Sequence, residues 1–193
     1  MSFLEKLKKQ KQKLKETETV VTSVDGQRRV EKGDAKTISS LTPCHGFVVD
    51  TKPDNIPIEI VDHLFIGSQD CTDNSVLEAN NIRHVLSLGI NVDIDINHKF
   101  VECLDLPETD VTSILKECLP FVHDGVRKKE NVLVHCNAGV SRTSLVAIAY
   151  LMHYHNMEFE DAHAVVKEKR PAIQPNAGFR KQLMNFKPGN IIK

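Results

Sequence analysis

Residues Val132 to Thr143 constrain this chain more than any other stretch. The apolar run Val132-Leu133-Val134 leads into His135-Cys136, and a five-residue loop follows: Asn137, Ala138, Gly139, Val140 and Ser141. Arg142-Thr143 then open an apolar helix that continues through Met152. A strand that ends on a cysteine, turns and leaves as a helix sets the thiol under a loop whose backbone N–H groups can converge. Such a ring of amides at a helix N-terminus is a cradle for a dianion. Arg142 adds a planar guanidinium able to grip two phosphate oxygens at once. The same positive field favours the thiolate of Cys136 over the thiol. A cysteine and an arginine six positions apart are weak evidence alone; the context gives them weight. Gly139 stands where backbone must approach an anion, and the hydroxyls of Ser141 and Thr143 flank Arg142. A structural cysteine in a strand-to-helix turn needs none of these neighbours.

The 193 residues suffice for one domain with a sizeable core plus a tail. Residues 1–54 read as a polar, Lys-rich tail. Residues 1–16 hold six Lys and two Glu, with Phe3, Leu4, Leu7 and Leu14 as a thin apolar stripe. That pattern predicts a short basic amphipathic helix followed by disorder, with an apolar face too thin for a membrane surface. The Lys-rich segment and Val20-Val21 also have the composition of a kinase-docking tail. From about Ile56 the pattern alternates. Strands are predicted at 58–60, 64–67, 85–88, 100–104 and 131–135. Helices are predicted near 74–79, 112–127 (with Pro120 as a bend), 143–156, 158–169 and 176–185. Residues 55–193 therefore form an α/β domain, a central and largely parallel sheet flanked by helices. The Cys136 loop then lies at the carboxyl end of a strand, where such sheets bind ligands.

Composition excludes several classes. A net charge of −1 and 5% aromatic residues do not suit a nucleic-acid specialist. The longest clean apolar run, Leu145 to Met152, falls far short of a membrane span. The N-terminus carries no apolar signal core, Ser2 stands where myristoylation requires glycine, and Ile191-Ile192-Lys193 is no prenyl site. The five Cys contain no Cys-x-x-Cys pair and the nine His are scattered, so neither a metal nor a cofactor is expected. An odd cysteine count with a reactive thiol fits a reducing compartment. Cytoplasm, with nuclear access, is the expected location.

His135-Cys136-Asn137-Ala138-Gly139-Val140-Ser141-Arg142-Thr143 resembles the signature of the cysteine-dependent protein phosphatases. The surrounding pattern resembles the dual-specificity group at Gly67-Ser68-Gln69-Asp70, at Leu104-Asp105-Leu106-Pro107-Glu108-Thr109, and at Arg170-Pro171-Ala172-Ile173-Gln174-Pro175-Asn176-Ala177-Gly178-Phe179. These matches span about residues 56–187. Within the group the chain is most similar to the atypical branch that regulates stress-activated kinase pathways, with a weak match reaching into the tail at Cys44 to Asp50. Thr143 departs from the Ser that much of the group carries, but keeps the hydroxyl.

The resemblance implies a phosphotyrosine phosphatase-type fold and hydrolysis of phosphotyrosine and phosphoserine or phosphothreonine through a phosphocysteine on Cys136. It implies that Arg142 and the amides of Asn137, Ala138, Gly139, Val140 and Ser141 hold the phosphate. Asp105 is implied as the general acid, Thr143 as the hydroxyl that helps the thiolate leave, and Asn176 as a buttress of the loop. Residue chemistry alone leaves Glu108 and Asp110 open as acids on the same segment. It also makes Asp110 and Asn176 natural helix caps. His135 is expected to orient the loop without acting as a base, and Ser141 to order it. Cys103 is a buried strand cysteine or a redox partner for Cys136. The compact domain implies a shallow pocket open to all three phosphoresidues. Uncharged Asn137 and Val140 speak against an inositol lipid substrate, for which relatives carry lysines in the loop. The expected partners are a phosphoprotein substrate and a stress-pathway kinase. The alternative is a phosphatase-like scaffold that binds signalling kinases, with activity incidental.

Overall fold

The computed structural model describes residues 54–192 and, upstream of them, the backbone of two strands at 18–22 and 28–32. The chain divides into two compact units, Met1–His45 and Gly46–Lys193. In the first unit, β1 (Glu18–Thr22) pairs antiparallel with β2 (Arg28–Lys32), Glu18 opposite Lys32 and Val20 opposite Val30. This corrects the expectation of disorder after the first helix. Thr19-Val20-Val21-Thr22, then Asp25-Gly26, then Arg29-Val30 is a hairpin pattern, and the surrounding lysines obscure it in any average over the tail. The helix expected over residues 1–16 and the match at Cys44 to Asp50 lie outside the described residues.

The division between units also falls earlier than the expected boundary near Asp54. Asp54 is fixed within the second unit: its carbonyl accepts from Ser68 Oγ at 2.6 Å and from Cys71 Sγ at 3.3 Å.

The second unit holds β3 (Ile58–Val61), β4 (Leu64–Gly67), a 3-10 turn (Gln69–Thr72), α1 (Asn74–Ala79), β5 (Ile82–Leu88) and β6 (Asn97–Val101). After these come α2 (Val111–Arg127), β7 (Asn131–His135), α3 (Arg142–Tyr154), α4 (Phe159–Lys169) and α5 (Ala177–Met184). The five strands form one sheet in the order β3-β4-β7-β5-β6, with β3 antiparallel to β4 and the remaining pairs parallel. β7 lies at the centre, and its sequence shows why. Val132 and Val134 enter the larger core while Leu133 enters the smaller one on the opposite face. A strand buried on both faces reads as a continuous apolar run.

Every residue of α3 from Arg142 to Met152 is buried. A helix covered on all sides is the core of its layer, and this one starts at the loop that leaves β7. Asp110 caps α2 through Thr112 N–H at 3.0 Å, and Asn176 caps α5 through Phe179 N–H at 2.9 Å. Helix α2 runs through Pro120.

One predicted strand moves. The expected strand over 100–104 is β6 at 97–101, so Asp105 stands four residues into a loop and does not end a strand. The parallel ladder runs from His84 opposite Asn97 to Leu88 opposite Val101 and closes where Gly89 N–H donates to Val101 O at 3.0 Å. β5 ends there, and the chain beyond Val101 has no strand to pair with.

Candidate active site

β7 delivers Cys136 at its carboxyl end, 2% exposed, under the loop that leads to α3. Each carbonyl of that loop is gripped from outside. Asn137 O accepts from Gln69 N–H at 2.9 Å, and Gly139 O from Arg170 Nε at 2.9 Å. Ala138 O accepts from the same guanidinium at 3.4 Å. Val140 O accepts from Gln174 N–H at 3.1 Å and from Ser144 Oγ at 2.8 Å, and Ser141 O from Ser144 Oγ at 2.7 Å. Across a trans peptide the next N–H points opposite to the carbonyl. Carbonyls held outward therefore turn the amides of Ala138, Gly139, Val140, Ser141 and Arg142 inward. The result is a preformed anion nest at the N-terminus of α3.

Gly139 is required at the crown of this loop. Its φ is +63°, and a Cβ would lie 2.6 Å from the carbonyl carbon and oxygen of Gly67. Arg170 itself is 5% exposed and also pairs with the Asp54 carboxylate. That ion pair ties the entry of the domain to the loop.

Arg142 is 2% exposed, and its Nη1 donates to Leu88 O at 3.0 Å and to Cys103 O at 3.4 Å. Two carbonyls at the ends of β5 and of the segment after β6 thus fix a guanidinium at the loop's end. Gly89 makes the passage: its φ is +72°, and a Cβ there would sit 2.3 Å from Arg142 Nη1.

Asp105 is half-buried and faces the loop. Its Oδ1 accepts from Ser141 Oγ at 2.7 Å and from Asn176 Nδ2 at 2.6 Å, while Asn176 N–H donates to Ser141 Oγ at 3.1 Å. Asn176 therefore caps α5, touches the phosphate loop through Ser141 and holds the carboxyl. Helix α5 also fixes the segment on which Asp105 rides. Gln182 Nε2 donates to Thr109 O at 2.9 Å, and Gln182 Oε1 accepts from Val111 N–H at 3.1 Å. Of the other two carboxyls considered, Asp110 is the exposed cap of α2 and Glu108 is exposed. Asp105 is the one the fold brings to the loop.

His135 is fully buried, and burial pushes its pKa down to about 4. Its ring is neutral near neutral pH, and Nε2 shares a hydrogen bond of 2.6 Å with Ser87 Oγ. Thr143 is also fully buried, and its Oγ1 has no hydrogen-bond partner among the described residues. Burial pushes the Cys71 thiol up to about 11 and Cys103 up to about 12, and raises Cys118 as well. Cys103 and Cys136 are free thiols close enough to influence each other electrostatically.

The dual specificity phosphatase catalytic domain family matches residues 64–188, which runs from β4 through the loop to just beyond α5. The chain belongs to this family. Dual specificity protein phosphatase 19 of Mus musculus is 34% identical over 183 residues, covering 89% of this chain and 83% of that protein. MAP kinase phosphatase with leucine-rich repeats protein 3 of Dictyostelium discoideum is 36% identical over 138 residues, covering 68% of this chain but 16% of that protein. The crystal structure of DUSP15 superposes with a TM-score of 0.63 at 31% identity, covering 67% of this chain and 86% of that one. The protein is a dual-specificity phosphatase, and its substrates are phosphoproteins.

Three supports of this phosphatase loop escape a sequence reading centred on the cysteine. Arg170 precedes a proline at the end of a helix and so resembles a surface cation; Asp54 and Gly89 belong to segments with no motif. The usable signal for Arg170 was its place in the motif that also supplies Asn176.

Proposed function

We propose that hydrolysis runs in two steps through a phosphocysteine on Cys136. The thiolate attacks phosphorus and the P–O bond to the substrate breaks in line, while Asp105 gives its proton to the leaving oxygen. Asp105, now a carboxylate, takes a proton from water as that water attacks phosphorus. The S–P bond then breaks, and Thr143 donates a hydrogen bond to the departing thiolate. Arg142 and the inward amides bind the equatorial oxygens in both steps. The observation that carries this reading is the set of anchored loop carbonyls between the buried Cys136 and Arg142, an arrangement that turns the five intervening amides inward. Thr143 Oγ1 is buried with no partner among the described residues and so has a hydrogen to give, while the contacts from Ser141 and Asn176 hold the Asp105 carboxyl at the loop.

The substrate we infer is a phosphorylated kinase of a stress-activated pathway, met in the cytoplasm with nuclear access. The name of the Dictyostelium discoideum relative, a MAP kinase phosphatase, supports a kinase substrate. Asp105→Ala, expressed as a trap and washed with and without vanadate, tests both parts. The expected result is capture of a phosphorylated kinase that vanadate releases. Vanadate-insensitive capture of an unphosphorylated kinase would replace the substrate reading with that of a scaffold, and turnover persisting in Cys136→Ser would overturn the phosphocysteine.

A further inference from the structure

Behind the nucleophile the sheet carries a hydrogen-bonded line of three side chains that the hydrolysis above does not use. Ser87 Oγ lies 2.6 Å from His135 Nε2 and 2.8 Å from His98 Nε2. Ser87 and His135 are fully buried, whereas His98, on the edge strand β6, is half-exposed. All three continue the face of the sheet that holds Val85 and Leu133 of the smaller core, opposite the face of Leu86, Leu88, Val132 and Val134. The line therefore runs from the residue preceding Cys136 to the surface at β6.

With the hydrogen of the buried Ser87 hydroxyl kept in the line, where its two partners lie, the bonds can run in two ways. In one, His98 Nε2–H donates to Ser87, whose O–H donates to His135 Nε2, so the hydrogen of neutral His135 sits on Nδ1. In the other, every bond is reversed, and His135 carries its hydrogen on Nε2. Among the described residues His135 Nδ1 is buried with no hydrogen-bond partner of good geometry, yet the backbone of Cys136 acts on the ring. Which arrangement prevails decides whether a donor or a lone pair is aimed beside the cysteine. A protonated His98 has a hydrogen on both nitrogens and can only donate to Ser87, so a Ser87 hydrogen held in the line must go to His135 Nε2, which is the first arrangement.

We propose that Ser87 and His98 are positioning residues that fix the tautomer of His135, so that protonation of His98 at the surface locks a donor on His135 Nδ1 next to Cys136. The relay rests on the reading of Cys136 as the nucleophile for its catalytic meaning, though not for its existence. The elements covering this face bring other charges: Asp70 on the 3-10 turn, Asp73 and Glu78 at α1, and Asp93 and Asp95 between β5 and β6. Arg83 stands on β5 itself, and Arg142 acts on the His135 ring from the loop side. Burial alone shifts His98, downward, so its titration falls on the acid side of an ordinary histidine.

The deciding measurement is the 15N shift of both His135 ring nitrogens across the His98 titration, in wild type, Ser87→Ala and His98→Gln. On the acid side the wild-type Nδ1 is expected to carry the directly bonded hydrogen, and its shift to move toward the unprotonated range as His98 loses its proton. In both variants that response should be lost. The pH dependence of Cys136 alkylation by iodoacetamide should lose an inflection with it. A His135 tautomer that stays constant across the His98 titration, or that responds equally in the variants, overturns the proposal. The tautomer is read without substrate, so the relay stands or falls separately from the nucleophile, which turnover by Cys136→Ser decides.

Discussion

Asn176 Nδ2 donates to Asp105 Oδ1 at 2.6 Å, so one side chain both caps the last helix and holds the carboxyl over the phosphate loop. The contact joins residues far apart in the chain, and it makes the position of the Asp105 carboxyl depend on α5. Asp105→Asn is expected to slow hydrolysis of alkyl phosphates by about a hundredfold or more, the scale of general-acid catalysis. Activated aryl phosphates, whose leaving groups need no proton, should suffer less. Asn176→Ala should show the same selectivity in weaker form, with a loss of about 1 kcal/mol from the missing cap. Equal loss on both substrate types would make Asn176 a purely structural residue. Comparative kinetics on the two substrates, with a denaturation curve, read all of this.

Arg170 grips two loop carbonyls and Asp54 with one planar fork, a geometry that lysine does not have. Arg170→Lys keeps the charge and releases the carbonyls. KM for a small aryl phosphate should rise and kcat should fall, because the inward amides lose their backing. Stability should drop by about 1.5–3 kcal/mol for each charged hydrogen bond lost. Unchanged steady-state kinetics would mean that the remaining anchors from Gln69 and Gln174 suffice.

Gly139→Ala tests the crown of the loop. A Cβ there meets the Gly67 carbonyl at 2.6 Å on a backbone with φ of +63°. Strain of about 1–3 kcal/mol at a single residue must be relieved by moving the loop or β4. Binding of vanadate, measured as inhibition, should weaken together with turnover. Wild-type inhibition in the variant would show that the loop does not need its glycine.

His135 gives stability a defined pH dependence. Its folded-state pKa lies near 4, below the ordinary 6.5, because the buried ring resists a charge. The unfolded chain therefore binds one more proton between those values, and stability falls as pH drops through that window. The contribution is fully present above pH 6.5, and the shift corresponds to roughly 3 kcal/mol. Denaturant titrations from pH 7 to pH 4 should show this loss in the wild type and a shallower one in His135→Gln, which retains a partner for Ser87. Parallel slopes would place the acid sensitivity elsewhere.

The loop was legible in the sequence because everything that defines it is local. Cys136, Gly139, Arg142 and Thr143 lie within eight consecutive positions, and the strand before them and the helix after them each have a clear apolar pattern. Asp110 and Asn176 were legible as caps for the same reason. Asp105 needed the family resemblance, since nothing in a loop's composition separates it from Glu108 or Asp110; only contacts with Ser141 and Asn176 do. Arg170, Asp54 and Gly89 were not legible as parts of the site, because each matters through a partner at least thirty positions away. The hairpin at 18–32 was obscured by averaging, and the displaced β6 by Cys103, which enters the core from a loop beyond Val101.

The outward anchoring of the loop carbonyls has a consequence for the protein's birth. The donors come from residues 69, 144, 170 and 174, and the arginine among them is set by residue 54. A chain still emerging from the ribosome possesses Cys136 before it possesses residues 170 and 174. Until those arrive, the carbonyls of Gly139, Ala138 and Val140 lack these anchors and the ring of inward amides is incomplete. Assembly of the cradle thereby waits on segments synthesised after the cysteine itself: a nascent or partly unfolded copy holds Cys136 without the ring of amides that the folded domain builds beside it.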